Sequence, residues 1–111
     1  MAGVGTAKVF ENDKIVIWEL ALAPGEETGV HTHRNDYVFY VLEGSRLETY
    51  DAEKQPLFEF DTSPGEVYVA RCEGGDLVVG EGDGFRVAAT HGARNVGKTP
   101  YREILVETKR T

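Results

Sequence analysis

The chain has 111 residues and a mass of 12.2 kDa, and this length favours one compact domain that spans residues 1–111. A hydrophobic content of 41% and a charged content of 28% argue against intrinsic disorder and collagen-like structure. The net charge of −7 argues against binding to nucleic acid or to anionic membrane surfaces.

Short segments rich in β-branched and aromatic residues alternate with glycine and proline turns along the chain. Their spacing predicts an all-β sandwich or barrel, without an amphipathic helix of about ten residues or more. The predicted strands are, in chain order, residues 14–22, 37–42, 46–50, 57–61, 66–71, 77–79, 85–90 and 101–107.

The first of these strands is apolar on both faces from Ile15 to Leu22. Successive side chains of a strand point to opposite faces, so a small two-layer protein buries only one face in its own core. A second subunit that covers the other face explains the pattern, and we therefore expect a homodimer. The alternative is that the termini of the same chain cover this face.

The sequence shows no feature that directs the chain to a membrane or an oxidising compartment. No apolar run approaches the roughly 18 residues that cross a bilayer, and residues 1–5 lack the charged and apolar parts of a signal peptide. Cys72 is the only cysteine, so an internal disulfide is excluded. We expect a cytoplasmic protein.

The three histidines of the chain, His31, His33 and His91, form its most informative pattern. Residues i and i+2 of an extended segment project to the same side, so the first two imidazoles can converge on one ion. A third histidine from a distant strand completes the set. Three neutral imidazoles suit Zn, Fe, Ni, Cu or Co and leave coordination positions open. Because an isolated HxH pair is more often a pair of surface residues, the surrounding residues decide.

Those surroundings resemble the first motif of the cupin superfamily. In this chain Gly25 is followed by five residues, His31-Thr32-His33, three residues, Tyr37, six residues and Gly44. The family's first motif runs Gly, five residues, HxH, three or four residues, Glu, six residues, Gly. The family's second motif ends in His, three residues, Asn, and this chain has His91 and Asn95 at that spacing. The resemblance covers almost the whole chain. It implies a cupin-type jelly-roll β-sandwich barrel with one divalent metal in its mouth, held by His31, His33 and His91.

The position of the family's glutamate ligand is occupied by Tyr37, and a neutral phenol is a much poorer ligand than a carboxylate. The resemblance therefore implies a three-histidine site, which some cupin dioxygenases also have. Tyr37 is expected to point into the barrel, followed by Phe39 and Val41. There it either hydrogen-bonds a bound water or substrate oxygen and assists proton transfer, or packs as a core residue. Asp36 reaches the metal only if the strand carries a bulge.

A second departure lies in the second motif, because counting from Gly65 brings no histidine to the family's position. We interpret residues 72–84 as an inserted hairpin or loop rich in glycine and acidic residues. Residues 85–90 then restore the strand that leads to His91. The insertion is either a lid over the barrel mouth or a solvated connection.

Other polar residues carry less specific signals. Asn95 is expected to stabilise a turn through hydrogen bonds to nearby backbone groups. Cys72 is expected to be an inert, small apolar residue rather than a nucleophile. Four arginines offer a cation for a carboxylate substrate or pair with surface acids instead: Arg71, Arg86, Arg94 and Arg102.

These observations favour a mononuclear metal enzyme that acts on a small oxygenated organic molecule. Three-histidine cupins point to dioxygenase chemistry with Fe(II), with Zn, Ni or Mn as other metals, and an isomerase or decarboxylase is the competing reaction class. A non-catalytic module that binds a small ligand or a metal is the alternative, and loss of the glutamate favours it. A metal-free structural dimer requires three histidines to occupy ligand positions by coincidence. Motifs for dinucleotide binding, nucleotide hydrolysis, serine hydrolysis and zincin proteolysis are missing.

Overall fold

The structure of the chain is a computed structural model that describes residues 5–80 and 85–109. These two ranges contain strands and turns without a helix, so no helix within them is long and apolar enough to span a membrane. The strands are β1 (Ala7–Glu11), β2 (Ile15–Leu22), β3 (His31–Thr32), β4 (Tyr37–Glu43), β5 (Arg46–Tyr50), β6 (Pro56–Asp61), β7 (Val67–Glu73), β8 (Asp76–Val79), β9 (Phe85–Ala88), β10 (Thr90–Asn95) and β11 (Tyr101–Thr108).

The strands form two antiparallel sheets. The larger sheet has seven strands in the order β1-β2-β11-β4-β7-β8-β9, and the smaller has four in the order β3-β10-β5-β6. Side chains from both sheets meet in one buried cluster, formed by Leu20, Leu22, Val41, Leu47 and Tyr101. This arrangement is the expected all-β jelly-roll β-sandwich.

Most of the predicted strands are present, with ends within about two residues of those expected from strand patterning. The strands β1 and β3 were not predicted, nor was β10 beyond its first residue, Thr90. Every residue of β1 is exposed, so the strand does not need the alternation of apolar and polar residues from which strands are predicted. The strand β3 has only two residues, too few for such a pattern. Both lie at the edges of their sheets.

The prediction of a single strand over residues 85–90 is wrong. The chain crosses between the sheets there, because β9 pairs with β8 in the larger sheet whereas β10 pairs with β3 and β5 in the smaller one. Ala89 lies at the break. Its N–H donates to the carbonyl of Gly75 at 2.9 Å, and its carbonyl accepts from the N–H of His33 at 2.9 Å. The crossing carries His91 into the smaller sheet.

Asn95, at the end of β10, is fully buried and has both ends of its amide bonded. Its Oδ1 accepts from Ser45 Oγ at 2.8 Å and from the N–H of Gly97 at 3.0 Å. Its Nδ2 donates to the carbonyls of Leu22 at 2.9 Å and Thr99 at 2.8 Å. The expected structural role of Asn95 is confirmed, and it joins the two sheets at the end of the barrel.

The outward surface of the larger sheet is mostly apolar. In the register of β4 and β7, Tyr40 lies beside Val67 and Val38 beside Val69. Tyr40, Val67 and Val69 are 45%, 57% and 48% exposed. We call this surface the outer apolar face, and it comprises Ile17, Val38, Tyr40, Val67, Val69, Ile104 and Val106. Its residue from β2, Ile17, belongs to the second face of that strand, which prompted the expectation of a homodimer.

Candidate metal centre

The three histidines meet where β3 pairs with β10. His91 lies directly opposite His31 in this pairing. His33 follows β3, and its backbone hydrogen bond to Ala89 holds it beside the same crossing. His31 and His33 are buried whereas Thr32 between them is exposed, so both imidazoles point into the barrel. The expectation that the two rings share one side is confirmed. We call the three residues the histidine cluster.

The nitrogen atoms of the histidine cluster lie close together, and two of them have the spacing of ligands of one ion. One ring nitrogen from each histidine lies within 4.8 Å of those of the other two. Nε2 of His31 is 3.1 Å from Nε2 of His33. Two nitrogen atoms bound at about 2.1 Å to one ion lie about 3.0 to 3.4 Å apart. The distance between these two atoms therefore suits ligands of a single ion.

Backbone carbonyls set the tautomers of two of the rings. Nδ1 of His31 lies 3.2 Å from the carbonyl oxygen of Gly29, and Nδ1 of His91 lies 2.7 Å from that of Ala88. Because a carbonyl only accepts, each Nδ1 donates its proton and each Nε2 keeps a lone pair. Histidines that bind metals in proteins commonly have this arrangement.

Burial keeps the histidine cluster uncharged at neutral pH. Burial, with a smaller effect of the neighbouring imidazoles, lowers the pKa of His31 to about 4 and the pKa of His33 to about 2. Burial also lowers the pKa of His91. Neutral imidazole is the form that binds a divalent metal. The donor set therefore fits a divalent ion and leaves coordination positions for a ligand.

Tyr37 lies beside the histidine cluster, at the position where the motif that this chain resembles has a glutamate. It is buried, and its ring stacks on that of His33 with centroids 4.4 Å apart and an interplanar angle of 21°. Burial and, second, the charge of Glu103 raise the pKa of Tyr37 well above its usual value. The phenol therefore keeps its proton at neutral pH, which permits donation of a hydrogen bond but not action as a base.

Asp36 does not reach the histidine cluster. Its Oδ1 accepts a hydrogen bond from the backbone N–H of Cys72 at 2.9 Å. The adjoining part of β4 pairs with β7 in unbroken register from Tyr37 to Tyr40, so the bulge on which this alternative depended is absent there.

A cavity of about 610 Å³ extends from the histidine cluster between the two sheets. Tyr37 and Phe39 line it, as expected from strand alternation, whereas Val41 is fully buried in the core. The wall is largely apolar and aromatic, with Leu20, Phe39, Leu47, Phe58, Phe60, Tyr68, Val79, Phe85, Val87 and Leu105. The described lining residues include no lysine or arginine.

The four arginines considered as substrate ligands instead pair with acids at the surface. Arg71 contacts Glu73, Arg86 contacts Glu73 and Asp76, Arg94 contacts Glu27 and Glu48, and Arg102 contacts Glu19. Their side chains are 38% to 53% exposed. Of the two interpretations of these arginines, pairing with surface acids is the one confirmed.

The predicted insertion, residues 72–84, forms a hairpin in its described part. The strands β7 and β8 pair across a turn at Gly74 and Gly75, which have φ angles of 58° and 87°. Val79 and Gly80 line the cavity, so the end of this hairpin belongs to its wall. Residues 81–84 lie outside the described ranges, and the lid remains a prediction.

Glu103 is a cavity residue that the sequence reasoning missed. It lies on β11 between Leu20 of β2 and Val41 of β4, and it is only 5% exposed. Burial raises its pKa to about 7, although a short hydrogen bond from the hydroxyl of Tyr101 lowers it. Strand alternation places Glu103 on the same face as Tyr101 and Leu105. The opposite face carries Ile104 and Val106, so alternation alone does not show which face points into the barrel.

Comparisons with known proteins identify the fold. No protein family model matches the chain, and no curated protein sequence matches it significantly. A cupin domain from Bordetella pertussis Tohama I superposes with a TM-score of 0.67 at 19% identity, over 96% of this chain and 97% of that one. An RmlC-like cupin protein from Desulfovibrio desulfuricans gives a TM-score of 0.55 at 19% identity, over 92% and 78%. The polyketide cyclase RemF from Streptomyces resistomycificus gives 0.53 at 19% identity, over 87% and 56%. The chain therefore has the fold of a small cupin-type domain, with a cluster of three histidines in its barrel.

Proposed function

We propose that the chain is a metal-binding cupin that carries out dioxygenase-type chemistry on a small oxygenated organic molecule. His31, His33 and His91 would hold one divalent ion, with Fe(II) favoured over Zn, Ni or Mn. The observation that carries the proposal is the convergence of three neutral imidazoles at an apolar cavity. When bound, the ion would polarise a ligand oxygen as a Lewis acid or, as Fe(II), activate dioxygen.

The surrounding residues would bind and orient the ligand. The phenol of Tyr37 keeps its proton, so its role is to donate a hydrogen bond to a ligand oxygen rather than to remove a proton. The stacked ring of His33 holds this phenol beside the histidine cluster. With a ligand bound, the largely apolar and aromatic wall would exclude water from around it, which would strengthen each polar contact there.

Chemistry without dioxygen is the second candidate. An isomerase, decarboxylase or cyclase would need only a polarised carbonyl and a water-poor cavity, and the largely apolar wall supports both classes. The polyketide cyclase RemF shares the fold. A non-catalytic ligand-binding module is the remaining alternative.

The first test is the metal content of protein purified without a metal-binding tag, measured by elemental analysis. We expect roughly one ion per chain, lost in His91→Ala because this change removes one of three ligands. Thr32→Ala is the matched control, since Thr32 lies between two of the histidines but points outward. Absence of metal after reconstitution with each divalent ion would contradict the proposal.

The second test separates the reaction classes. Protein loaded with Fe(II) is mixed with small diketones and carboxylates, and dioxygen uptake is followed with an oxygen electrode. Uptake that depends on His91 supports dioxygenase chemistry. Product formation without uptake supports the Lewis-acid class, and ligand binding without turnover supports the non-catalytic module.

We also propose that the chain forms a homodimer through the outer apolar face. Exposure of adjacent Tyr40, Val67 and Val69 supports this proposal, because large exposed apolar patches commonly mark interfaces. Sedimentation equilibrium should give twice the chain mass. Val67→Glu should shift the protein toward monomer, and Val9→Glu, an exposed site on β1, should not. A monomeric wild-type protein would contradict the proposal.

A further inference from the structure

Glu103 and the histidine cluster line the same cavity at different depths. On β11, Glu107 lies opposite Tyr37 and Glu103 lies opposite Val41. Four residues of strand separate these two levels, which corresponds to about 13 Å. Since Tyr37 stacks on His33, the cavity runs from the histidine cluster past the aromatic wall to Glu103.

The wall between the two levels is aromatic. Phe39 and Tyr68 stack with centroids 4.8 Å apart and an interplanar angle of 19°, and Phe60 meets Tyr68 with centroids 6.4 Å apart. The hydroxyl of Tyr68 donates a hydrogen bond to Glu66 at 3.0 Å, so the one polar atom of this side chain already has a partner. A planar apolar ligand would therefore pack on aromatic rings along most of this length.

Glu103 retains one oxygen for a ligand. Within the described ranges, the side chain of Glu103 receives a single hydrogen bond, from the hydroxyl of Tyr101 to Oε1. No fully buried side-chain oxygen or nitrogen in these ranges lacks a partner. The second oxygen of Glu103 therefore meets cavity space rather than packed protein, and the side chain is among the cavity's lining groups.

We propose that Glu103 is the second polar anchor of the cavity, and that the cavity selects small aromatic molecules with metal-binding oxygens at one end and a hydroxyl at the other. The inference rests on the proposed metal centre, which would hold the first end. Glu103 would hold the second end through its Oε2, with Tyr101 fixing the carboxyl group in place.

The protonation state of Glu103 near neutral pH is compatible with this role. Burial raises its pKa to about 7, so near neutral pH the protonated and ionised forms coexist. Either form accepts a hydrogen bond from a ligand hydroxyl. Because the described lining contains no lysine or arginine, an anionic group at this depth would have no partner, and a neutral hydroxyl is favoured.

The test uses metal-loaded protein and two hydroxamates, which bind divalent metals through two oxygen atoms. Isothermal titration calorimetry compares benzohydroxamate with 4-hydroxybenzohydroxamate, which adds a hydroxyl at the far end of the ring. We expect wild-type protein to bind the 4-hydroxy compound about tenfold more tightly. Glu103→Gln, whose amide also accepts, should retain most of this preference, and Glu103→Leu should abolish it.

Metal content separates this inference from the proposed function. Elemental analysis should find equal metal in wild type, Glu103→Gln and Glu103→Leu, since Glu103 is not a ligand in the proposal. If Glu103→Leu does not fold, the double variant Tyr101→Phe with Glu103→Leu, which leaves no unpaired hydroxyl, takes its place. Two outcomes at full metal content would overturn the role of Glu103 but not the metal centre. In one, wild-type protein shows no preference for 4-hydroxybenzohydroxamate; in the other, Glu103→Leu keeps that preference. Absence of metal from the wild type would overturn both proposals.

Discussion

The two ends of the cavity respond to burial in opposite ways. At the histidine end, burial lowers the pKa values of three bases and leaves their nitrogen lone pairs available. At the acid end, burial raises the pKa of Glu103, so that a carboxyl group keeps its proton up to about neutral pH. The physical cause is the same, because a poorly solvated site disfavours the charged form of any group. Neutral bases suit a cation, whereas a neutral acid suits a hydroxyl group.

Metal addition should have the largest effect, and it should act at the histidine end alone. The free energy of unfolding should rise by about 2.7 kcal/mol when free metal is about 100 times its Kd, because only the folded chain holds the three nitrogen atoms together. Urea unfolding with and without zinc measures this gain. His33→Ala should abolish it and Glu103→Gln should keep it. An equal gain in His33→Ala would contradict a centre built on these rings.

A change of pH should act at the acid end. The folded pKa of Glu103 is about 7, above the ordinary value of 4.5, so the unfolded chain loses this proton first as pH rises. Ionisation therefore favours unfolding, and stability falls between these two values and levels off above them. The side chain of Glu103→Gln does not titrate in this range. The free energy of unfolding of the variant, relative to that of wild type, should therefore rise by about 2.5 kcal/mol from pH 5 to pH 8.

Urea unfolding of both metal-free proteins at the two pH values measures this difference. Titration of the histidines is common to wild type and variant and cancels in the comparison. A difference that stays constant with pH would show that Glu103 is ionised in the folded protein as readily as in water.

Loss of the hydroxyl of Tyr101 should have a smaller effect. Tyr101→Phe removes the hydrogen bond to Glu103, and we expect a cost of about 1 to 2 kcal/mol at pH 8, where the carboxylate needs that donor. The cost should be lower at pH 5, where the carboxyl group is protonated. Urea unfolding at the two pH values tests this. Metal content should not change, and its loss would show that the two ends depend on each other.

The smallest effect is expected for Tyr37→Phe. The ring that stacks on His33 remains, and only the donor to a ligand oxygen is lost. Affinity of the metal-loaded protein for benzohydroxamate should fall about threefold, the size expected for one modest hydrogen bond. Calorimetry measures the affinity and elemental analysis the metal content. Loss of metal in this variant would show that the phenol itself is a ligand.

The histidine end could be predicted because its signal is local. The HxH spacing places two imidazoles on one side of any extended segment, and the end of the second motif, His91 followed by Asn95, marks the third. The position of His91 opposite His31 depends on the crossing between the sheets at Ala89. The sequence does not predict this crossing, because an alanine is compatible with a continuous strand. The predicted strand over residues 85–90 therefore missed the change of sheet that brings the cluster together.

The acid end depends on register, which a single strand does not reveal. Both faces of β11 carry apolar side chains, with Leu105 on one and Ile104 and Val106 on the other. Only pairing with β2 and β4 shows that the face with Glu103 points into the barrel. Carboxyl groups are rarely fully buried. The structure therefore identifies Glu103 through its burial, which the sequence does not show.

The phenol of Tyr37 also affects the charge of the centre. Three neutral imidazoles and no carboxylate would leave a divalent ion with its full double charge, a local positive field inside a protein of net charge −7. Such a field favours ligand oxygens that give up a proton on binding, such as those of enols and hydroxamic acids, more than a site with a glutamate ligand would. Ligands of this kind would bind more tightly as pH rises toward their own ionisation, which makes acidity a second criterion of selection beside shape.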